Sequence, residues 1–439
     1  MALWRTLATL VVFLIVAPLA WTQTVTLAED VKAGDCFAVR LNMKLTGEIL
    51  VNKDGKQVPI RLSTDAVHDF ASRVLDVADG SAAKIAVVYD KALADISVGG
   101  EKSERKLRPK RTLIVSQRSN DQPLVYAPAG PLTREELELV GEHFDTLALT
   151  GLLPGKAVAK GDTWKIKNSI AQALCNFEGL TDQDLTCKLV DFDAKTATVA
   201  VTGKATGIDL GAQVKLTIDA GYTFDLTAKR LIALTWNQKD EREQGPANPA
   251  SKVAVETTVE RKPIEQPKSL SDVGLISVPP GFDPPKELTH VEYRDPKSRF
   301  EIIFGREWQT VGQTDDHLIL RLMERGDFVA QVTVTPWTSA EKGKHLSPDE
   351  FKDAMASTPG WEPAEELQAG EVPAADNKWA YRISAQGKMD DVTVVQSFYL
   401  VAGPNGEQTV LAFTMTPKQV ERLGTRDLSL VGSLEYPKK

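Results

Sequence analysis

Cysteine and histidine are scarce: three cysteines and five histidines are scattered over 439 residues. No Cys-x-x-Cys pair and no His-Glu-x-x-His helix occurs, so the usual zinc and iron spacings are missing. The sequence also has no Gly-x-Ser-x-Gly elbow and no Gly-x-Gly-x-x-Gly or Gly-Lys-Ser loop between a strand and a helix. Gly203, Gly207 and Gly211 recur at every fourth position instead, which reads as a bend or bulge between strands. A strong charge of one sign is lacking too. A formal net charge of -8 is mildly acidic, repels phosphate backbones and argues against nucleic acid as the main partner. These absences leave no residue to name as catalytic, cofactor-binding or metal-binding.

A folded, two-domain chain is what the remaining composition supports. With 42% hydrophobic and 26% charged residues the sequence is that of globular domains, and its length exceeds one ordinary core. Leu7 to Ala20 is an almost unbroken apolar run behind Arg5, the pattern of a secretory signal over residues 1–24. Cleavage is expected after Ala20 or Ala28, leaving no stable membrane span. The first cysteine is Cys36, too distant for a lipid-modified start. The expectation is an exported protein, periplasmic or secreted, in a compartment where disulfides persist. Cys175 and Cys187 lie twelve positions apart around Gly179. A bridge there would stabilise by about 3 kcal/mol on the chain-entropy estimate. Separate thiols are the alternative, and Cys36 reads as a small buried hydrophobe.

Pro263, Pro267, Pro279, Pro280, Pro284 and Pro285 mark 262–287 as a Pro-rich linker. It divides a β-rich antiparallel domain (30–261) with one amphipathic helix from an α+β domain (288–439). Upstream, Phe37 to Val51 and Val58 to Leu62 flank Asp54-Gly55, a hairpin signal; Asp79-Gly80 before Ile85 to Tyr89 signals another. Thr133 and Glu136 form a capping box, and Leu137, Val140, Phe144, Leu147 and Ala148 follow at helical spacing. Strands return at Thr186–Val190, Thr196–Thr202, Val214–Ile218 and Leu231–Trp236. Downstream, strands are expected at 300–304, 318–322, 328–335, 379–385, 392–402 and 409–415. A Ser347-capped helix and a closing helix carrying Val420, Leu423, Leu428, Val431 and Leu434 complete the unit.

That downstream order, with Tyr293-Arg-Asp, Phe300-Glu-Ile-Ile-Phe304 and Trp308, resembles the PsbP-like fold of photosystem extrinsic proteins and small exported bacterial proteins. The resemblance covers about 288–439. It implies an α/β/α sandwich around an antiparallel sheet, and a binding or assembly role rather than chemistry. Many relatives carry Pro before the Trp turn, where this chain has Gly305-Arg306-Glu307-Trp308. The upstream unit more faintly resembles uncharacterised exported β-rich bacterial proteins through Leu153-Pro-Gly-Lys156 and Val158-Ala-Lys-Gly-Asp-Thr-Trp164.

Among candidate sites, Lys102, Arg105, Lys106, Arg108, Lys110 and Arg111 form a basic run that could meet an anionic lipid, cell-wall polymer or acidic partner. A solvated edge strand whose cations discourage pairing is the competing reading. Asp182, Asp184, Asp191 and Asp193 lack the glycine and late acid of a calcium loop and read as turn residues. His68, His143, His290, His317 and His345 read as surface or satisfied side chains, though a triad assembled from distant positions stays open. Trp308, Trp337, Trp361 and Trp379 read as core anchors before sugar- or peptide-stacking residues. The leading functional expectation is a non-catalytic exported envelope protein that binds or assembles with a protein or envelope component. A carrier of a lipid or other hydrophobic ligand is the second, since a curved antiparallel sheet under one helix can enclose an apolar cavity. A hydrolase whose site sequence motifs do not reveal is the third.

Overall fold

The computed structural model describes residues 23–53, 56–119, 122–141, 144–374, 377–389 and 391–437. The export signal expected over 1–24 therefore lies, apart from its last two residues, outside the described residues. Thr24–Thr26 is a strand paired with Ala157–Ala159, and Leu27 is fully buried, so cleavage after Ala28 would remove part of the core.

The upstream unit is one antiparallel sheet of 13 strands. Its spatial order begins with Thr163–Lys165, Thr186–Phe192, Thr196–Asp209, Ala212–Asp225, Arg230–Arg242 and Ala250–Pro263. It continues through Cys36–Lys53, Lys56–Ala78, Ser81–Val98, Leu113–Ser119 and Gln122–Tyr126. Two shorter strands, Gly179–Gln183 and Glu101–Lys106, pair off this path. The strands of both expected hairpins pair, from Lys53–Lys56 and from Ala78–Ser81, with the Asp54-Gly55 turn of the first lying outside the described residues. Asp79 and Gly80 take φ of 50° and 74°, the left-handed pair that a two-residue turn demands. The decisive pairing is non-local: strand 250–263 runs beside strand 36–53 from Pro263–Phe37 to Ala250–Leu50, joining both ends of the unit into one sheet.

The sheet curls around a short helical layer. Thr133 caps helix Arg134–Gly141 by accepting from the Glu136 amide (3.2 Å) while Glu136 accepts from the Thr133 amide (3.0 Å), the predicted box. The helix does not continue to residue 148, as its stripe predicts. Asp145 instead caps a separate 3-10 helix, Thr146–Leu152, by accepting from the Leu147 amide at 2.8 Å. On that helix Thr150 bonds Ser81, while the Leu152 carbonyl takes the Tyr222 hydroxyl at 3.1 Å. The strands carrying Ser81 and Tyr222 are five neighbours apart, roughly 24 Å on a flat sheet. Two residues of one short helix reach both only because the sheet bends around it.

The Pro-rich segment is a docked strap rather than a free linker. Leu270 and Leu275 are buried on the outer face against Ala86, with Ala71 and Val88 beside them. Lys84 Nζ donates to the Pro279 carbonyl at 2.8 Å, and Arg73 donates to the Leu270 carbonyl at 2.9 Å.

Downstream, seven antiparallel strands lie in the order Trp308–Gln313, Leu318–Glu324, Asp327–Pro336, Gln408–Met415, Val392–Ala402, Trp379–Met389, Trp361–Val372. The expected α/β/α sandwich is not what forms. Of the described residues 56% are in strands and 14% in helices, and the downstream helices are too short to make layers. One face carries only Pro348–Ala356, seating Phe351 and Met355. On the other face a β-ribbon, Val291–Arg294 with Glu301–Phe304, shares the cover with Arg426–Gly432. The closing helix is broken at Gly424, whose φ is 60°, leaving Val420 and Leu428 exposed while Leu423, Val431 and Leu434 are buried. Among the described residues no helix is long and apolar enough to cross a membrane.

The units are stitched together. Val291 and Glu292 pair in parallel with Leu132 and Thr133. Two tight turns, Leu210-Gly211 and Arg325-Gly326, meet so closely that a Cβ on Gly211 would stand 2.4 Å from the Gly326 carbonyl.

Candidate functional site

The long strands alternate between inward and outward side chains except where bulges shift the register, and what the inward side chains meet changes along their length. Near the helical layer Phe37, Val39, Leu41 and Phe70 are buried. Farther along the same row come Met43, Leu45, Ile49 and Val51, opposed on the next strand by Ala66, Thr64, Ile60 and Val58. Apart from Ala66 none of these is buried; Val58 is 40% exposed, and Val98 on the following strand 37%. Their outward neighbours Lys44, Glu48, Arg61 and Asp65 are polar, so the sheet is amphipathic here in the usual one-sided way. The apolar face is the one left half-open. Gly47 permits the tight coiling: a Cβ there would stand 2.2 Å from the Lys252 carbonyl of the neighbouring strand.

This open face leads into a cavity of about 400 Å³ walled by Met43, Leu45, Val253, Val255, Val214 and Leu216 of the sheet and by Leu174 and Phe177 at the end of helix Asn168–Leu174. A neighbouring cleft of about 550 Å³ shares Glu138, Phe177, Asp209 and Arg242 with it and reaches Arg306 and Gln309 of the downstream unit.

Into the apolar wall one strand sends a polar row. On Arg230–Arg242 the inward positions are Trp236, Gln238, Asp240 and Arg242. Trp236 Nε1 donates to Gln238 Oε1 at 2.7 Å, and Gln238 Nε2 donates to Asp240 Oδ2 at 3.0 Å. Asp240 Oδ1 is buried with no hydrogen-bond partner among the described residues, and the cross-strand neighbours of Asp240 are Leu216 and Val253. Burial pushes its carboxyl up to about 6, against the bond from Gln238. Arg242 holds Asp209 through Nη1 at 2.9 Å and through the Asp209 carbonyl at 3.0 Å, while its Nε has no partner. Burial raises Asp209 and Glu178 as well, Arg242 opposing in both cases. Cys175, in the same wall, is pushed up to about 12 by burial and then by the Asp240 charge, so it is a protonated thiol and a poor nucleophile at neutral pH. The arrangement suits binding: an apolar sheet wall faces a polar side made of the 238–242 row with Glu138, Asn176 and Asp209.

The residues singled out from sequence fall elsewhere. The basic run divides. Lys102, Lys106 and Lys110 are exposed, whereas Arg105 pairs with Glu138, Arg111 donates to the Pro131 carbonyl, and Arg108 joins the two units. Arg108 reaches Glu136 and Glu292, both at 2.7 Å. Its pKa is driven up chiefly by the bond to Glu136, while Glu136 and Glu292 are held below the usual carboxylate range by Arg108 despite their burial. Arg105, Arg108 and Arg111 are thus committed to protein carboxylates and carbonyls, and Lys106 pairs with Glu104 at the surface. Of the two alternatives for Cys175 and Cys187, the structure has separate buried thiols: Cys187 Sγ faces the Leu152 carbonyl (3.7 Å), while Cys175 ends the helix Asn168–Leu174.

Asp193 accepts from the Lys195 and Thr196 amides, a turn role, whereas Asp191 lies on strand Thr186–Phe192 and pairs with Lys160 at the surface. Trp164 Nε1 also donates to the Leu152 carbonyl, so the Lys-Gly-Asp-Thr-Trp motif serves the fold. His68 is buried edge-on to Tyr89 and its pKa is lowered to about 4 by burial, His345 stacks on Trp379, His317 contacts Thr314, and His143 lies outside the described residues. Trp308 and Trp361 are buried core residues, packed on Phe413 and Phe398. Among the described residues no group of three His, Cys, Asp or Glu side chains converges on a metal-sized point.

Sequence reasoning missed the cleft because strand 230–242 reads as ending at Trp236; a Gln and an Asp at inward parity were the signal that it continues.

No family model and no curated protein matches the sequence. Among solved structures, the chain is similar over 36% of its length to the cyanobacterial PsbP protein (CyanoP) of Synechocystis sp. PCC 6803, covering 99% of that chain at 14% identity and a TM-score of 0.27. It is similar over 34% to the Ran-binding protein Mog1p of Saccharomyces cerevisiae, covering 95% of that chain at 12% identity and a TM-score of 0.27. Lipovitellin, in a structure of its lipid–protein interactions, is matched over 53% of this chain but only 25% of its own, at 9% identity and a TM-score of 0.27. The PsbP-like resemblance is met by this weak, partial similarity to CyanoP.

Proposed function

We propose that this is an exported, non-catalytic binding module that takes up the apolar chain of a lipid-like molecule along the inner face of its curled sheet. The observation that carries the reading is the uncovered inward row of Met43, Leu45, Ile49 and Val51, continuous with the cavity bounded by Val253 and Val255. Leaving such a row in water forfeits roughly 25 cal/mol for every Å² that could be covered. A cavity of about 400 Å³ is within the range of small-molecule sites, and its sheet wall of Met43, Leu45, Val214, Leu216, Val253 and Val255 is apolar. The downstream unit closes one side of the approach through Arg306 and Gln309.

The test is native mass spectrometry of the protein purified from its envelope, together with titration of the apolar fluorophore N-phenyl-1-naphthylamine. A co-purifying apolar mass and saturable fluorophore binding that Val253→Asp abolishes are expected. An empty protein that neither holds such a mass nor saturates with the fluorophore would overturn the reading.

A further inference from the structure

One end of the upstream sheet projects from its neighbours. Strand Ala250–Pro263 stops pairing with Cys36–Lys53 at Leu50, and strand Ser81–Val98 stops pairing with Lys56–Ala78 at Leu62. Beyond those points the two central strands continue alone as a ribbon through the pairs Val51–Val58, Asn52–Gln57 and Lys53–Lys56, about 10 Å of chain. A two-stranded ribbon is only marginally stable in water by itself, and this one is apolar on both faces. Inward it carries Val51, Val58 and Ile60; outward, at the parity of Lys44 and Glu48, it carries Leu50 opposite Pro59. Val58 is 40% exposed, Pro59 is exposed, and Leu50, Val51 and Ile60 are half-buried. A one-sided sheet keeps its solvent face polar, so apolar residues on both sides of a projecting end mark a contact surface. The sequence from Ile49 to Arg61 holds three cations, Lys53, Lys56 and Arg61, against one acid, Asp54, in a chain whose net charge is -8. Lys56 and Arg61 are exposed.

We propose that this ribbon is a membrane-docking tip: Leu50, Val51, Val58 and Pro59 enter the acyl boundary of an anionic bilayer, and Lys56 and Arg61 lie against its phosphates. Immersion covers both apolar faces at once, which a partner protein seated on one face of the sheet does not. The inward side of the tip runs through Ile49 into the row of Leu45 and Met43 that walls the cavity, so docking brings the open end of that row to the lipid surface. The docking assignment stands on the tip alone and goes beyond the apolar-chain reading; only its use in loading the cavity rests on that reading.

The experiment is flotation of the protein purified from its envelope with vesicles of equal parts phosphatidylcholine and phosphatidylglycerol, and with vesicles of phosphatidylcholine alone. The mixed vesicles should carry the protein up the gradient at lipid concentrations about tenfold lower than the neutral ones. Leu50→Asp combined with Pro59→Asp, both on the outward face and outside the cavity wall, should raise the lipid required by about tenfold while uptake of N-phenyl-1-naphthylamine and the melting temperature are kept. Lys56→Glu combined with Arg61→Glu should abolish the preference for mixed vesicles and leave binding to neutral ones unchanged. Absence of flotation with both vesicle types, or flotation unchanged by both pairs of substitutions, overturns the tip assignment and leaves the apolar-chain reading standing. A concentration-dependent dimer in sedimentation equilibrium that Leu50→Asp with Pro59→Asp dissociates would give this end to a second copy of the chain and overturns the assignment too. Failure of the parent protein to take up the fluorophore overturns the apolar-chain reading and not the docking.

Discussion

Replacing Asp240 by Asn is expected to stabilise the protein at pH 8, although it removes a charge from the candidate site. In the unfolded chain the carboxyl titrates near its ordinary value of 3.8, whereas burial between Leu216 and Val253 pushes it up to about 6 in the fold. Between those values the folded state holds a proton that the unfolded state has released. Stability from this group is therefore present at low pH, is lost as pH rises through about 6, and stays lost above it. A difference of about two pH units corresponds to a ceiling of about 3 kcal/mol. The bond from Gln238 is not forfeited, because the Asn side-chain oxygen can still accept it, so a net gain of about 1–3 kcal/mol at pH 8 is expected. Urea unfolding of both proteins at pH 4.5 and pH 8 measures it. The variant's advantage should be largest at pH 8 and shrink toward pH 4.5. An Asn variant less stable than the parent at pH 8, or an advantage equal at both values, would refute the desolvated-carboxylate account.

Three further outcomes follow from the junction and the thiols. Arg108→Ala leaves Glu136 buried without its cation while Glu292 keeps Arg294, and should cost about 3 kcal/mol in thermal or urea unfolding, with only partial rescue by Lys, which cannot bind two carboxylates through a planar fork. Gly211→Ala combines a φ of 73° with a Cβ only 2.4 Å from the Gly326 carbonyl, so the two turns must part. Faster proteolysis of the 263–285 strap is the readout, and an unchanged digestion pattern would show that this contact does not hold the units together. Unreduced protein opened in denaturant should titrate three thiols, and its melting temperature should be indifferent to reductant.

Local signals in the sequence carried through to the structure, and long-range ones did not. The 79–80 turn and both capping boxes depend on neighbours within four residues, and they formed as their residue types dictate. Pairing of 250–263 with 36–53 spans more than 200 positions, and no residue type encodes which strand will be its neighbour. Strand Trp361–Val372 escaped notice because Pro363, two register shifts and four glutamates erase the alternation. Those same features blunt an edge strand against further pairing, which is where it lies. The α/β/α expectation failed for a related reason: a helical stripe predicts which residues face the sheet but not that Gly424 will interrupt the helix presenting them.

The cleft lies where pattern and structure disagree. Strand 230–242 keeps its pairing through Asp240, opposite Leu216 and Val253, so the backbone treats Gln238 and Asp240 as sheet positions like any other. Inward parity calls for apolar side chains there, and neighbouring strands supply them at every corresponding position from Val255 to Leu216. A carboxylate in that row raises the free energy of the fold, as its elevated pKa registers, and gains no cationic partner within it. Stability alone would favour Val or Leu at position 240. Position 240 thus carries a carboxylate at a cost to the fold, and relief of that cost in Asp240→Asn, largest above pH 6, is its measurable sign.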